Sequence, residues 1–98
     1  MLHVDVVYEI PQSRERIRGR DTYIRFNREF PGDWHLEPLV VLADERNGSV
    51  LFDWRVGAES AQGIVFFEFS DGVITKVTDF WPAPYEPPAG REHLVERW

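Results

Sequence analysis

The stretch GIVFFEFSDGVITKVTDFW, residues 63–81, decides the fold of this chain. Asp71-Gly72 at its centre supplies the positive φ that a tight turn demands, and β-branched and aromatic residues crowd both flanks. The stretch is therefore predicted to form two antiparallel strands in which Phe69 faces Ile74. Beyond the turn the alternation slips by one residue, and a β-bulge near Thr75-Lys76 would restore it.

One face of this hairpin is apolar except for a single acid. Because side chains alternate along a strand, the face comprises Val65, Phe67, Phe69, Ile74, Val77, Asp79 and Trp81. A carboxylate among aromatic side chains is costly to bury charged, so the pKa of Asp79 should rise unless a donor pairs with it. Asp79 is thus a candidate functional group. The alternative is an acid near the strand end that meets water or an arginine and titrates normally.

The residues before the hairpin indicate three more strands and one helix. Residues 4–10 read as a strand that Pro11 ends, and a helix opens at Gly19-Arg20-Asp21. In that helix Tyr23, Phe26, Asn27 and Phe30 fall at helical spacing, and Pro31-Gly32 stops it. A strand over residues 34–43, which Pro38 marks as an edge or a bulge, leads into a hairpin predicted at Asn47-Gly48.

The C-terminal residues differ in composition from the rest. Residues 82–90 contain four prolines and favour an extended arm. Residues 91–98 are predicted to form a short helix with Leu94, Val95 and Trp98 on its apolar side, and so short a helix must dock on something. Together the elements predict an α+β fold: a curved antiparallel sheet of five strands with one main helix on its concave face.

Composition narrows the classes of partner. The chain has 98 residues, which predicts a single domain over 1–98 with 82–98 as its arm, and a net charge of −6 disfavours nucleic acid and anionic membranes as partners. There is no cysteine, the three histidines lack metal-ligand spacing, and no cofactor motif is present. We therefore predict no metal, no cofactor and a cytoplasmic location. The aromatic content, with Ile64, Phe66 and Phe80 on the other face of the sheet, favours a ligand cavity and a homodimer.

Several motifs resemble the SnoaL-like branch of the nuclear transport factor 2-like superfamily. They are VVYEIP (6–11), IRGRD opening the helix (17–21), FEFSDGVI (67–74) and VTDFW (77–81). The resemblance implies a cone, in which a bent sheet wraps round helices and encloses a pocket, usually with dimerisation through the sheet. Members include ketosteroid isomerase, polyketide cyclases, limonene epoxide hydrolase and non-catalytic binders, so the fold leaves the function open.

The chain departs from the family pattern in two ways. Family members usually begin with two helices, whereas here the first strand starts by residue 4. Two explanations are open: the gene start is truncated, or a partner or the C-terminal tail covers the open side. We favour a homodimer in which Leu94, Val95 and Trp98 help to cover it. Second, the positions that match the carboxylates of ketosteroid isomerase are Ile10 and Val65, so the resemblance does not carry that machinery over.

Three functions remain open at this stage. The first is acid–base catalysis of the isomerase or cyclase type on a small apolar carbonyl compound, with Asp79 as acid or base and Tyr8 as hydrogen-bond donor. Its substrate would contact Trp54, Phe67, Trp81 and Phe26. The second is a non-catalytic module that binds a small apolar molecule, and the third is a dimerisation domain whose cavity its own side chains fill. A ligand site requires a cavity of ~300 Å³ or more, which separates the second function from the third.

Overall fold

A computed structural model describes residues 1–98 and shows six strands and one helix. In chain order they are β1 (Leu2–Ile10), β2 (Glu15–Arg18), α1 (Arg20–Arg28), β3 (Trp34–Ala43), β4 (Asn47–Val56), β5 (Glu59–Ser70) and β6 (Val73–Phe80). All six strands form one sheet in the order β2-β1-β6-β5-β4-β3. The predicted α+β fold is confirmed, with the helix packed on β1 and β2.

The central hairpin, β5 and β6, has the predicted register. Phe69 pairs with Ile74 and Glu68 pairs with Lys76, so Thr75 is the one extra residue and forms the predicted bulge. Asp71 and Gly72 both have positive φ, at 51° and 75°, as the tight turn requires. The pairing of Val65 with Asp79 places the acid on the apolar face.

The sheet differs from the prediction in two respects. It is mixed and not wholly antiparallel, because β1 lies beside β6 and runs parallel to it. It also has a sixth strand, since Glu15–Arg18 pairs antiparallel with β1. The polar and basic residues 12–18 predict a loop with a short extended piece, and that piece is this strand, whose pairing was not predicted. Both corrections concern pairing between segments distant in sequence or very short, for which alternation within a strand carries little information.

The second hairpin turns earlier than predicted. Asn47 and Gly48 already belong to β4, where they pair with Glu68 and Phe67, so the prediction of a turn at Asn47-Gly48 was wrong. Asp44 makes the turn: its Oδ1 accepts hydrogen bonds from the backbone N–H groups of Arg46 (2.8 Å) and Asn47 (2.7 Å). These two bonds also lower the pKa of Asp44. The register shift after Pro38 on the edge strand β3 is the irregularity that this proline predicted.

The core lies where the helix meets the sheet. Val6, Tyr8 and Val77 are buried together, and α1 adds Tyr23, whose ring stacks on that of Tyr8 with centroids 4.5 Å apart. Phe52 of β4 is buried separately, and its ring lies over Gly63 on the neighbouring strand. A Cβ at Gly63 would overlap that ring, so the glycine is what lets the ring approach the sheet.

The C-terminal arm lies outside the sheet and helix. Residues 91–98 contain only a turn, closed by a hydrogen bond from the N–H of Leu94 to the carbonyl of Arg91 (3.0 Å), so the predicted C-terminal helix is absent. Leu94, Val95 and Trp98 are all exposed, so nothing docks on the apolar side of this segment, and an undocked helix of two turns is unstable.

No helix of the chain is long and apolar enough to cross a bilayer. The cytoplasmic location stays a prediction.

Candidate functional site

A cavity of about 470 Å³ opens between the helix and the concave face of the sheet. Sixteen residues line it and thirteen of them are hydrophobic. All six site residues predicted from the sequence are among them, namely Tyr8, Phe26, Trp54, Phe67, Asp79 and Trp81. They come from β1, α1, β4, β5, β6 and, for Trp81, the position directly after β6, so only the folded chain brings them together.

The polar centre of this cavity is a hydrogen bond between Tyr8 and Asp79. The hydroxyl of Tyr8 donates to Asp79 Oδ2 at 2.5 Å. The bond follows from the topology: β1 and β6 are parallel neighbours, Tyr8 pairs with Val77, and Asp79 lies two residues further along the same face. Asp79 is only 8% exposed, and its second oxygen, Oδ1, is buried without a hydrogen-bond partner.

Burial controls the protonation of both groups. It raises the pKa of Asp79, while the hydrogen bond from Tyr8 and, less strongly, the nearby Trp81 indole oppose the rise. The indole does not form a hydrogen bond to Oδ1, which stays unpartnered. The pKa of Tyr8 is also raised, first by burial and then by Asp79, so this hydroxyl stays protonated and remains a donor. Asp79 therefore holds a proton at pH values where an exposed aspartate has lost it.

We expect a carboxyl-carbon NMR titration to give Asp79 a pKa above the ordinary ~3.9 of aspartate. In Tyr8→Phe the pKa should rise further, because a donor that stabilises the charged form is lost while the ring remains. Between the unfolded and folded pKa values, the folded chain keeps a proton that the unfolded chain has released. Stability should therefore fall as the pH rises through this window. A pKa at or below ~3.9 in the wild type would contradict this reading.

Aromatic rings form a row from Phe30, just after α1, across the sheet side of the cavity. Phe30 meets Trp54 edge to face at 5.9 Å, Trp54 meets Trp81 at 5.7 Å, and Trp81 meets Phe52 at 5.1 Å. The backbone N–H of Trp81 donates to the side-chain oxygen of Gln12, which ties the end of β6 to the loop after β1. Such edge-to-face contacts hold the rings in defined positions.

The helix and the turn that follows it contribute residues that the sequence analysis did not choose as site residues. Tyr23, Asn27 and Phe30 line the cavity beside the predicted Phe26. Burial raises the pKa of Tyr23, so its hydroxyl also stays protonated. The helical spacing of these residues was recognised, and the face of α1 that Tyr23 and Asn27 share with Phe26 was the signal that could have assigned them to the site; Phe30 lies just after α1.

The polar side chains that line the cavity can transfer protons and form hydrogen bonds. Asp79, Tyr8 and Tyr23 are the titratable groups of the lining, and no lysine, arginine or histidine is present there. No group of three or more histidine, aspartate or glutamate side chains in the chain is arranged to hold a metal ion. The arrangement can donate a proton, accept one or orient a polar ligand atom.

Known proteins with similar sequence or structure were found in two comparisons. The SnoaL-like domain matches residues 1–77. A candidate ketosteroid isomerase from Kribbella flavida is 54% identical, with a TM-score of 0.96 over 99% of this chain and 72% of that chain. A protein of unknown function from Burkholderia xenovorans, similar to nuclear transport factor 2, has a TM-score of 0.82 at 22% identity, over 99% and 77%.

A more distant neighbour has the same fold. A candidate SnoaL-like polyketide cyclase from Jannaschia has a TM-score of 0.70 at 14% identity, over 82% of this chain and 66% of that chain. Identities as low as those of the Burkholderia and Jannaschia proteins show the fold alone. Among proteins of curated function, none matches this chain significantly.

Proposed function

The chain belongs to the SnoaL-like family of the nuclear transport factor 2-like superfamily, and on this premise we propose that it binds a small, largely apolar molecule and catalyses acid–base chemistry on it through Asp79. The observation that carries the proposal is the Tyr8–Asp79 hydrogen bond inside an apolar cavity. The 54% identical Kribbella protein, a candidate ketosteroid isomerase, supports an isomerase-type reaction.

Tyr8 and Asp79 have different roles in the proposed reaction. Tyr8 holds Oδ2, and Oδ1 is covered and has no partner. Because Asp79 lines the cavity, a small turn of its side chain would bring Oδ1 to the ligand, and this is the oxygen that would exchange the proton. As an acid, Asp79 gives its proton to a ligand oxygen; as a base, its carboxylate takes a proton from the ligand. The hydrogen bond from Tyr8 stabilises the carboxylate in either direction, and a raised pKa brings the acid closer to neutral pH, where such catalysis is most effective.

The carboxylate differs in position from those of ketosteroid isomerase. Val65 and Ile10 stand at the positions that match its acids, and Val65 pairs directly with Asp79 across β5 and β6. The acid of this chain therefore comes from the neighbouring strand but reaches the same apolar face. The proposed chemistry rests on Asp79 and Tyr8, and it does not borrow residues from the isomerase.

We expect Asp79→Asn to lose turnover of any small carbonyl substrate by at least ~100-fold, because a carboxamide neither gives nor takes the proton. Folding should survive, since the amide is nearly isosteric and carries no buried charge. The matched control is Asp5→Asn, which changes the net charge equally at an exposed position of β1. Turnover and thermal unfolding measured on the three proteins test the proposal. Wild-type turnover in Asp79→Asn would exclude the catalytic role.

A non-catalytic binding module is the second candidate. The cavity of about 470 Å³ exceeds the ~300 Å³ that a ligand needs, so the lining side chains do not fill it. In this case Asp79 and Tyr8 orient the ligand without proton transfer. Binding of the carbonyl compounds to the wild type with no turnover would favour this candidate over the enzyme.

We also propose a homodimer through the outer face of the sheet. Two adjacent rows cross four strands there, Val40–Leu51–Ile64–Phe80 and Leu42–Ser49–Phe66–Thr78. Neither row contains a charged residue, and Val40, Leu42 and Phe66 are exposed in the single chain. Charged residues border the rows, with Asp53 on one side and Lys76 on the other. An uncharged band of this kind can pack on its own copy about a two-fold axis without burying a charge.

A further inference from the structure

We propose that the cavity also accepts hydrophobic organic cations, specifically amines in their ammonium form, with the carboxylate of Asp79 as the counterion. The inference rests on the proposed function only in using the same cavity. It adds a ligand class, and three features of the lining support it.

The first feature is a buried acid, Asp79, that lacks a hydrogen-bond donor for one of its oxygens. Asp79 is more than nine-tenths buried, lines the cavity, and leaves Oδ1 without a hydrogen-bond partner. Unpaired buried polar atoms are rare in folded proteins, and each calls for an explanation. Tyr8 already supplies the one protein donor, at Oδ2. Oδ1 is covered by its neighbours, so the side chain must turn slightly toward the cavity to meet a ligand. An ammonium group would then supply both the missing donor and the missing opposite charge.

The second feature is the composition of the wall. Nine of the sixteen lining residues are aromatic, including Trp34, Trp54 and Trp81. The faces of aromatic rings attract cations, and tryptophan does so most strongly, especially where water is excluded. An aliphatic or aromatic body attached to the ammonium would bury its apolar surface against the same rings.

The third feature is the absence of positive side chains in the cavity, together with the negative net charge of the chain. No lysine, arginine or histidine lines the cavity, so no protein cation competes for Asp79. The chain as a whole carries a net charge of −6, which favours the approach of cations and disfavours anions. A ligand that ends in a carboxylate would meet Asp79 without any compensating group.

Binding of an ammonium should be linked to the protonation of Asp79. Tyr8 of β1 and Tyr23 of α1 are the other titratable groups that line the cavity, and both stay protonated because their pKa values are raised. A cation prefers the carboxylate, so its affinity should increase as the pH rises through the pKa of Asp79. A neutral ligand with an acceptor oxygen prefers the protonated acid, so its affinity should decrease over the same range.

The test uses three probes that share one phenyl framework: 2-phenylethylamine, 2-phenylethanol and 3-phenylpropanoate. Their dissociation constants are measured by NMR titration at pH 7 with the wild type, Asp79→Asn and the charge-matched control Asp5→Asn. We expect the amine to bind the wild type and Asp5→Asn at least tenfold more tightly than the alcohol. In Asp79→Asn this preference should disappear while the affinity for the alcohol changes by less than about twofold.

The outcomes separate this inference from the proposed function. If the alcohol binds and the amine does not bind more tightly, or if the preference for the amine persists in Asp79→Asn, the cation inference is wrong and the cavity still binds neutral ligands. Binding of 3-phenylpropanoate as tight as that of the amine would also overturn it. If no probe binds, both the cation inference and the proposed ligand cavity fail.

Discussion

Phe52→Ala is expected to lower the free energy of unfolding by ~3–5 kcal/mol, the usual cost of removing a buried phenylalanine. Phe52 is 2% exposed, its ring lies over Gly63, and it meets Trp81 edge to face at 5.1 Å. The space is not easily filled, because Gly63 has no side chain and the backbone of Trp81 is held in place by its hydrogen bond to Gln12. Urea denaturation followed by tryptophan fluorescence or circular dichroism measures the loss.

Trp54→Ala is the matched comparison for Phe52→Ala. Trp54 is the larger side chain and lies two residues further along β4 on the same face. Both side chains line the cavity, but Phe52 is almost fully buried whereas Trp54 is only half-buried. Its removal enlarges a space that is already open, so the loss should be less than about half of that for Phe52→Ala. Equal losses of unfolding free energy in the two variants would mean that Trp54 belongs to the core and that the cavity is smaller than about 470 Å³.

The central hairpin was predictable because its signals are local. Alternating apolar residues set the faces, Asp71-Gly72 set the turn, and the slip after Ile74 required a bulge, which Thr75 provides. These constraints also placed Asp79 on the apolar face. The raised pKa of Asp79 follows from that placement, because an acid on this face is surrounded by hydrocarbon and not by water.

The features that were missed depend on contacts between distant or very short segments. The parallel pairing of β1 with β6 and the four-residue strand β2 have no signature within their own residues. Asn47-Gly48 is a strong turn signal, yet Asp44 caps an earlier turn with two backbone hydrogen bonds and leaves Gly48 for close packing against the Phe69 ring. The predicted C-terminal helix required a docking partner that the single chain does not provide.

In the site, too, local patterns predicted the residues but not the contacts between them. Asp79 and Tyr8 were each chosen from the pattern of one strand, but the hydrogen bond joins residues 71 apart in sequence, and its existence depends on the unpredicted β1–β6 pairing. Tyr23 and Asn27 were placed on the helix correctly and not assigned to the site. Helical spacing identifies a shared face, whereas the strand that faces it is decided by the tertiary fold.

Phe66→Lys is expected to convert the proposed homodimer into a monomer. Phe66 lies in the uncharged band of the outer face, is 48% exposed in the single chain, and meets Phe80 edge to face at 5.9 Å. In a two-fold interface one substitution acts twice, so the dimer would have to bury two unpaired lysines. The dissociation constant should rise at least ~100-fold, which sedimentation velocity over a range of concentrations would detect. The thermal midpoint of the wild type, but not of the variant, should increase with protein concentration.

Ile24→Lys is the control for this result. Ile24 is also an exposed apolar residue, at 41%, but it lies on α1 and away from the outer face of the sheet. The Ile24→Lys substitution introduces the same charge as Phe66→Lys. A dimer that persists in Ile24→Lys and is lost in Phe66→Lys would therefore locate the interface on the outer face. A wild-type chain that stays monomeric at micromolar concentration would contradict the homodimer. The uncharged band would then be a surface that does not bind a second copy of the chain. The cavity and its Tyr8–Asp79 pair lie on the opposite face of the sheet and would be unaffected.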